Sequence, residues 1–150
     1  MRREEDRDQE VWDQEVSYAF GSRSIARLQT CHPLLQTLMQ RVIKRGDLPF
    51  DLTILCGHRN QADQDAAFRG GASKLRWPNS KHNSMPSRAV DLAPWVGGQV
   101  SWDWTHYNKL APLIKDEWGK MVAEGLTGDT KLAWGGDWRN FPDGPHWQLS

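Results

Sequence analysis

Two histidines and two aspartates in this sequence have the types and the spacing of a hydrolytic metal site. His82 lies nine positions before Asp91, and His146 lies near the C-terminus. Two imidazoles and one carboxylate form the three-ligand set of a catalytic zinc ion, whose fourth position is left to water. Asp143, three positions before His146, could reach that water as a general base. We therefore predict that His82, Asp91 and His146 bind Zn2+ and that Asp143 is catalytic.

These ligands must converge from different elements, and the sequence indicates strands that could carry them. Residues 88–93 alternate in polarity and predict a strand that carries Asp91. Residues 145–149 predict a final strand that begins near His146. His82 lies on the turn before the first of these strands. Two neighbouring antiparallel strands and the turn before one of them could bring all three ligands to one point.

A further buried strand is predicted earlier in the chain. Residues 51–56 form a short apolar run with β-branched types, which is typical of a buried strand. Arg59 follows this run, and Asn60 can cap a helix that continues through Phe68. Functional groups often lie at such a junction, although a surface arginine in an ion pair fits the same position.

Helical patterns account for much of the remaining chain. Apolar residues at helical spacing predict helices that begin near Ser22, Pro33 and Asp103. Pro112 lies inside the last of these and is expected to kink the helix or to delay its start, because proline lacks the backbone N–H. We therefore predict an α+β fold in which a small antiparallel sheet carries the zinc site and packs with helices.

The length and charge of the chain favour one enzyme domain and disfavour some classes of partner. From the 150 residues we expect a charged arm over residues 1–20 and one catalytic domain over residues 21–150. The 19 Lys and Arg balance the 19 Asp and Glu, so a nucleic-acid partner is disfavoured. The N-terminus lacks the apolar segment of a signal peptide, and no run approaches the ~20 residues that span a membrane. We expect no membrane insertion and an initial location in the cytoplasm.

Cysteine and tryptophan usage adds two expectations. Cys31 and Cys56 are too few for a disulfide framework, a bridge between them stays open, and neither has the spacing to share a zinc site. Most of the 9 Trp are expected to be core or half-buried packing residues. A few of them could line a cleft that grips a sugar-peptide polymer.

Taken together, the motifs resemble those of a known group of zinc peptidases. The chain contains Ser80-x-His82, then Ala-Val-Asp91 on a predicted strand, then Asp143-x-x-His146 at a final strand. This pattern is similar to the D-Ala-D-Ala carboxypeptidase type (VanY-like, with the hedgehog/DD-peptidase fold). Within that group it most resembles the phage L-alanyl-D-glutamate endopeptidases, which are endolysins. The resemblance covers nearly the whole chain.

The resemblance implies an activity and a place of action. It implies a zinc-dependent endopeptidase that hydrolyses the L-Ala–D-Glu bond of the peptidoglycan stem peptide. In such enzymes, a residue matching Arg59 binds substrate and stabilises the developing oxyanion, and one matching Ser80 contacts substrate. A turn-forming role fits Ser80 equally well. We expect a monomer in the cytoplasm of the host bacterium, released to the cell wall with the help of a holin, which is again an implication of the resemblance.

Two other functions use the same residues. A D-Ala-D-Ala carboxypeptidase would have the same ligands and base, but such an enzyme is normally exported or anchored, which this N-terminus does not indicate. A non-catalytic zinc-stabilised binding module, as in hedgehog-type signalling domains, would not need a carboxylate at Asp143. The turn between His82 and Asp91 is longer than in many relatives, a variant that resembles the phage members.

Overall fold

A computed structural model describes residues 17–150, so the first sixteen positions of the charged arm predicted for residues 1–20 lie outside the described residues. The α-helices of the described part are α1 (Ser22–Leu28), α2 (Pro33–Ile43), α3 (Gln61–Arg69) and α4 (Trp104–Ala123). The strands are β1 (Asp51–Cys56), β2 (Ala89–Val96), β3 (Gln99–Val100), β4 (Leu132–Trp134) and β5 (His146–Leu149). Single 3₁₀ turns lie at Lys81–Asn83 and Gly135–Asp137. The predicted α+β class is confirmed.

The strands form one antiparallel sheet in which β2 has neighbours on both sides. The strand order is β1-β2-β5-β4, and the short β3 pairs with β2 outside this path. Asp91 of β2 lies opposite His146 of β5. After an irregularity that follows Ile54, Asp91 also lies opposite Cys56 of β1. The small antiparallel sheet predicted from the sequence is therefore present, and its register joins three strands at Asp91.

Local signals begin the helices close to where the sequence predicted them. Pro33 is the first residue of α2, where a missing N–H costs no intrahelical bond. Asn60 caps α3, and its side chain accepts a hydrogen bond from the Asp63 N–H at 2.9 Å. Asp103 caps α4, which begins well before Pro112 and continues through it. The expected delay of this helix by Pro112 was therefore wrong.

The core lies between the sheet and the helices. Its most deeply buried apolar side chains come from α2, α4 and the strands β1, β2 and β5: Leu35, Leu38, Met39, Ile43, Ile54, Leu92, Leu110, Ile114, Met121, Trp147 and Leu149. Arg45, after α2, donates hydrogen bonds at 2.8 Å to both Asp116 and Glu117 of α4 and so joins the two helices. Over residues 17–150, no helix combines the length and the hydropathy needed to cross a membrane.

Gly57, directly after β1, lies where the sheet most closely approaches the end of α1. A Cβ at this position would collide with the Thr30 side chain and the Arg27 carbonyl. We predict that Gly57→Ala lowers the free energy of unfolding by about 2 kcal/mol or more, since forcing extra atoms into a packed site typically costs about 1–3 kcal/mol. Urea unfolding measures this change.

Gly46→Ala is the matched control for this prediction. A Cβ at Gly46 meets no atom within 4 Å, so we expect a free energy of unfolding within about 1 kcal/mol of that of the unaltered protein. Equal stability of the two variants would contradict the close approach at Gly57.

Candidate active site

One cleft contains every residue that the sequence nominated for the site. These residues come from the β1–α3 junction, the first 3₁₀ turn and its N-cap, β2, and the segment that leads into β5. They are Arg59, Ser80, His82, Asp91, Asp143 and His146. The fold therefore brings together side chains that lie up to 87 positions apart, counted from Arg59 to His146.

Asp91 lies at the centre of this cleft. Its Oδ1 is 3.2 Å from His82 Nε2 and 3.1 Å from His146 Nδ1. Both histidines are buried. Two ring nitrogens from two different elements thus lie within hydrogen-bond distance of one carboxylate oxygen.

Each imidazole has a hydrogen-bond partner on the side away from Asp91, and this partner indicates which ring nitrogen carries the proton. His82 Nδ1 lies 2.7 Å from the Gly57 carbonyl oxygen, which can only accept, so Nδ1 carries the proton. In a neutral His82, Nε2 therefore presents a lone pair to the carboxylate. His146 Nε2 lies 2.9 Å from Gln148 Oε1 in a similar arrangement. The unprotonated ring nitrogen and the carboxylate oxygen are both hydrogen-bond acceptors, and at such a short distance they repel each other unless a cation lies between them. The two imidazoles and the carboxylate therefore fit a metal ion.

The pKa values of this cluster indicate a strong preference for positive charge. Burial by itself lowers the pKa of His82, but the Asp91 carboxylate outweighs burial and raises the pKa to about 10. Burial also raises the pKa of Asp91, yet the two histidines outweigh it and hold that pKa well below its ordinary value. The cluster therefore retains a carboxylate and attracts cations at neutral pH, whether protons or a metal ion.

Asp143 lies beside the cluster. Its carboxylate, a carboxylate oxygen of Asp91 and a ring nitrogen of His146 lie within 4.8 Å of one another. Burial raises the pKa of Asp143, and the neighbouring Asp91 carboxylate raises it further. The two histidines and a nearby arginine lower it without reversing the direction. A carboxylate with a raised pKa beside a cluster that could hold a metal ion is suited to accept a proton, and the same position would also let it bind the metal.

Arg59 and Ser80 lie on the wall of the cleft. Arg59 Nη2 is 3.7 Å from Asp91 Oδ2. The guanidinium therefore points toward Asp91 in the cleft and does not form the ion pair at the surface that the sequence left open. Ser80 Oγ accepts a hydrogen bond from the His82 N–H at 3.2 Å, and Ser80 forms a capping box with Asn83. Ser80 therefore has the contacts of a turn-former and also lines the cleft.

The two cysteines lie differently from what the sequence suggested. Both thiols are free, so no bridge joins Cys31 to Cys56. Cys56 Sγ, a ring nitrogen of His82 and a carboxylate oxygen of Asp91 lie within 4.8 Å of one another. The expectation that neither cysteine could share the site was therefore wrong for Cys56. The reason is the β1–β2 register, which sets Cys56 opposite Asp91.

Other residues of the cleft were not anticipated individually. The Trp138 ring lies 5.0 Å from the His146 ring, as the expectation of a few cleft tryptophans allowed. Lys74 Nζ lies 4.9 Å from the centre of the Phe141 ring. Buried Gln64 does not itself line the cleft, but it accepts a hydrogen bond from Arg59 Nη1 at 2.9 Å. No sequence signal marked these residues individually.

Comparisons with known proteins point to one family. The sequence matches the family model described as Phage L-alanyl-D-glutamate peptidase over residues 16–147, a range that contains the whole cleft up to His146. It is 29% identical over 128 residues to the L-alanyl-D-glutamate peptidase of Escherichia phage T5, covering 85% of this chain and 87% of that protein. The fold is similar to the crystal structure of the Serratia marcescens L-Ala D-Glu endopeptidase ChiX, with a TM-score of 0.71 and 26% identity over 88% of this chain and 90% of that one.

Proposed function

This chain belongs to the phage L-alanyl-D-glutamate peptidase family, and from that premise we propose that it is a zinc-dependent endopeptidase of the peptidoglycan stem peptide. The family and the similar proteins support cleavage of the bond between L-Ala and D-Glu. The observation that supports the metal dependence is the meeting of two imidazole nitrogens with the Asp91 carboxylate at 3.1 and 3.2 Å.

His82, Asp91 and His146 would hold the metal. Two neutral imidazoles and one carboxylate leave a zinc ion with net positive charge and an open position. When bound, the ion supplies a Lewis acid that favours deprotonation of a water molecule and polarises a peptide carbonyl. The Gly57 carbonyl at 2.7 Å from His82 Nδ1 and Gln148 Oε1 at 2.9 Å from His146 Nε2 hold the rings in orientation.

Asp143 would move the proton. Its raised pKa makes the carboxylate a better proton acceptor than an exposed aspartate. In this mechanism Asp143 takes a proton from the attacking water and later donates it to the amine that leaves when the peptide bond breaks. The same group thus serves as base and then as acid.

Arg59 and Ser80 would act on the substrate. Attack on the peptide carbonyl creates an oxyanion, and a guanidinium on the cleft wall can donate charge-assisted hydrogen bonds to it. The 3.7 Å contact with Asp91 is too long to hold Arg59 in a strong ion pair, so the N–H groups of Nη2 stay available. Ser80 also lines the cleft, where its hydroxyl could contact the stem peptide.

The bond itself can be identified by digesting purified peptidoglycan and determining the new ends by mass spectrometry. We expect released peptides with a new N-terminal Glu. An endopeptidase accepts chain on both sides of the bond, so activity should not require a free C-terminal carboxylate. Free D-Ala with intact L-Ala–D-Glu bonds would instead indicate the D-Ala-D-Ala carboxypeptidase alternative.

We predict about one zinc ion per chain, lost together with activity on chelation and restored with added zinc. His82→Ala, Asp91→Ala and His146→Ala should each lower zinc content and the melting temperature, because the free energy of metal binding adds to folding. Elemental analysis and thermal unfolding measure both effects. His106→Ala is the control: His106 bonds to Ser101 away from the cleft, so zinc content should stay unchanged. A metal-free protein with full activity would refute the zinc dependence.

We predict that Asp143→Asn retains zinc and the native fold but lowers kcat by about 10²- to 10⁴-fold, because an amide cannot accept the proton. Steady-state kinetics with parallel zinc analysis measures this. Asp137→Asn is the matched control, since Asp137 is exposed and pairs with Lys115 Nζ at 2.8 Å. Loss of zinc from Asp143→Asn would identify Asp143 as a ligand rather than the base.

A further inference from the structure

Gln64, in α3, is a fully buried amide whose four hydrogen-bonding positions are all occupied. Its relative exposure is 0%. Oε1 accepts from Arg59 Nη1 at 2.9 Å and from Asn83 Nδ2 at 3.1 Å. Nε2 donates to Ser73 Oγ at 2.9 Å and to the Leu75 carbonyl at 2.6 Å. An amide offers two lone pairs and two N–H groups, so this side chain is completely satisfied.

The partners of Gln64 fix the direction of its amide. A guanidinium can only donate, so the atom facing Arg59 must be the oxygen. A backbone carbonyl can only accept, so the atom facing Leu75 must be the NH₂ group. Rotating the amide by half a turn would set donor against donor and acceptor against acceptor. A buried amide without partners is costly, so Gln64 has one stable orientation.

This orientation constrains the guanidinium of Arg59. Among residues 17–150, the side-chain hydrogen bond of Arg59 goes to Gln64, while its contact with Asp91 is 3.7 Å long. The backbone of Arg59 is held separately: its N–H donates to the His82 carbonyl at 2.8 Å, and its carbonyl accepts from Asn83 Nδ2 at 3.1 Å. The backbone hydrogen bonds fix the position of the Arg59 main chain, and the hydrogen bond to Gln64 fixes the position of its guanidinium.

We infer that Gln64 is a positioning residue that holds the Arg59 guanidinium in the orientation needed for turnover. The inference rests on the oxyanion-stabilising role proposed for Arg59. Gln64 is anchored in turn by the segment that contains Ser73 and Leu75, which also lines the cleft. Without the hydrogen bond to Gln64, the Arg59 guanidinium keeps its charge but is no longer held in one orientation. Misplacing such a group by about 1 Å can cost about 100-fold in rate.

A double-mutant cycle tests whether Gln64 acts through Arg59. Gln64→Met keeps the length of the side chain and removes all four hydrogen bonds. We expect kcat to fall about 10- to 100-fold with unchanged zinc content, and KM to change much less. In the Arg59→Ala background, the same Gln64→Met substitution should change kcat by no more than about twofold, because the group that it positions is gone.

Two further variants complete the test: one is a control, and the other replaces Gln64→Met if that variant does not fold. Gln36→Met is the matched control: Gln36 bonds to the Cys31 carbonyl at 2.8 Å from α2, outside the cleft, so kcat should be unchanged. Gln64→Asn removes the contact with Arg59 by shortening the side chain, and it carries the test if circular dichroism shows that Gln64→Met does not fold.

Several results would overturn the inference. Losses that multiply in the double variant would mean that Gln64 affects turnover independently of Arg59. Full kcat in a folded Gln64→Met or Gln64→Asn variant would mean that the hydrogen bond is dispensable. Full kcat in Arg59→Ala would also remove the basis of the inference, yet it would leave the peptidase function, which the peptidoglycan digest and Asp143→Asn test separately.

Discussion

A half-buried carboxylate between two imidazoles is the interaction on which the rest of the structure depends. Asp91 keeps a pKa well below its ordinary value only because His82 and His146 face it at 3.1–3.2 Å. An ionised carboxylate in the interior is costly unless positive charge lies beside it. The same arrangement that makes this cluster costly without a cation would favour the binding of one, as proposed for zinc. Stability and chemistry would then be linked at Asp91.

The pairing of strands in the sheet brings the residues of this cluster together. Adjacent strands lie about 4.8 Å apart, so residues opposite one another on neighbouring strands are within reach of one bound ion. Asp91 of β2 lies opposite His146 of β5 and Cys56 of β1. Gly57 directly follows β1; its carbonyl orients His82, and its lack of a side chain lets α1 approach. A register change of one residue would turn Asp91 to the other face and destroy the site.

Hydrogen bonds then hold the polar groups around the cluster. Within the part of the chain that the structure describes, no buried side-chain nitrogen or oxygen lacks a hydrogen-bond partner. The Gly57 carbonyl and Gln148 orient the two histidines, and Gln64 orients Arg59. Preorganised groups of this kind need little rearrangement when charge develops during a reaction. The cleft thus combines a charged centre with neutral amide and carbonyl groups that fix its geometry.

The sequence by itself predicted the candidate ligands, and it determined the strands that carry them and the start of α3 after Asn60, because these depend on residue chemistry and on local periodicity. Only the tertiary structure decided the contacts across the cleft. The proximity of Cys56 depends on strand register, and the pairing of Asp137 with Lys115 depends on how α4 packs. The hydrogen bond from Arg59 to Gln64, five positions further along, depends on the conformation of the junction between β1 and α3. Such contacts carry no periodic signal, since their geometry is set by the packing of whole elements.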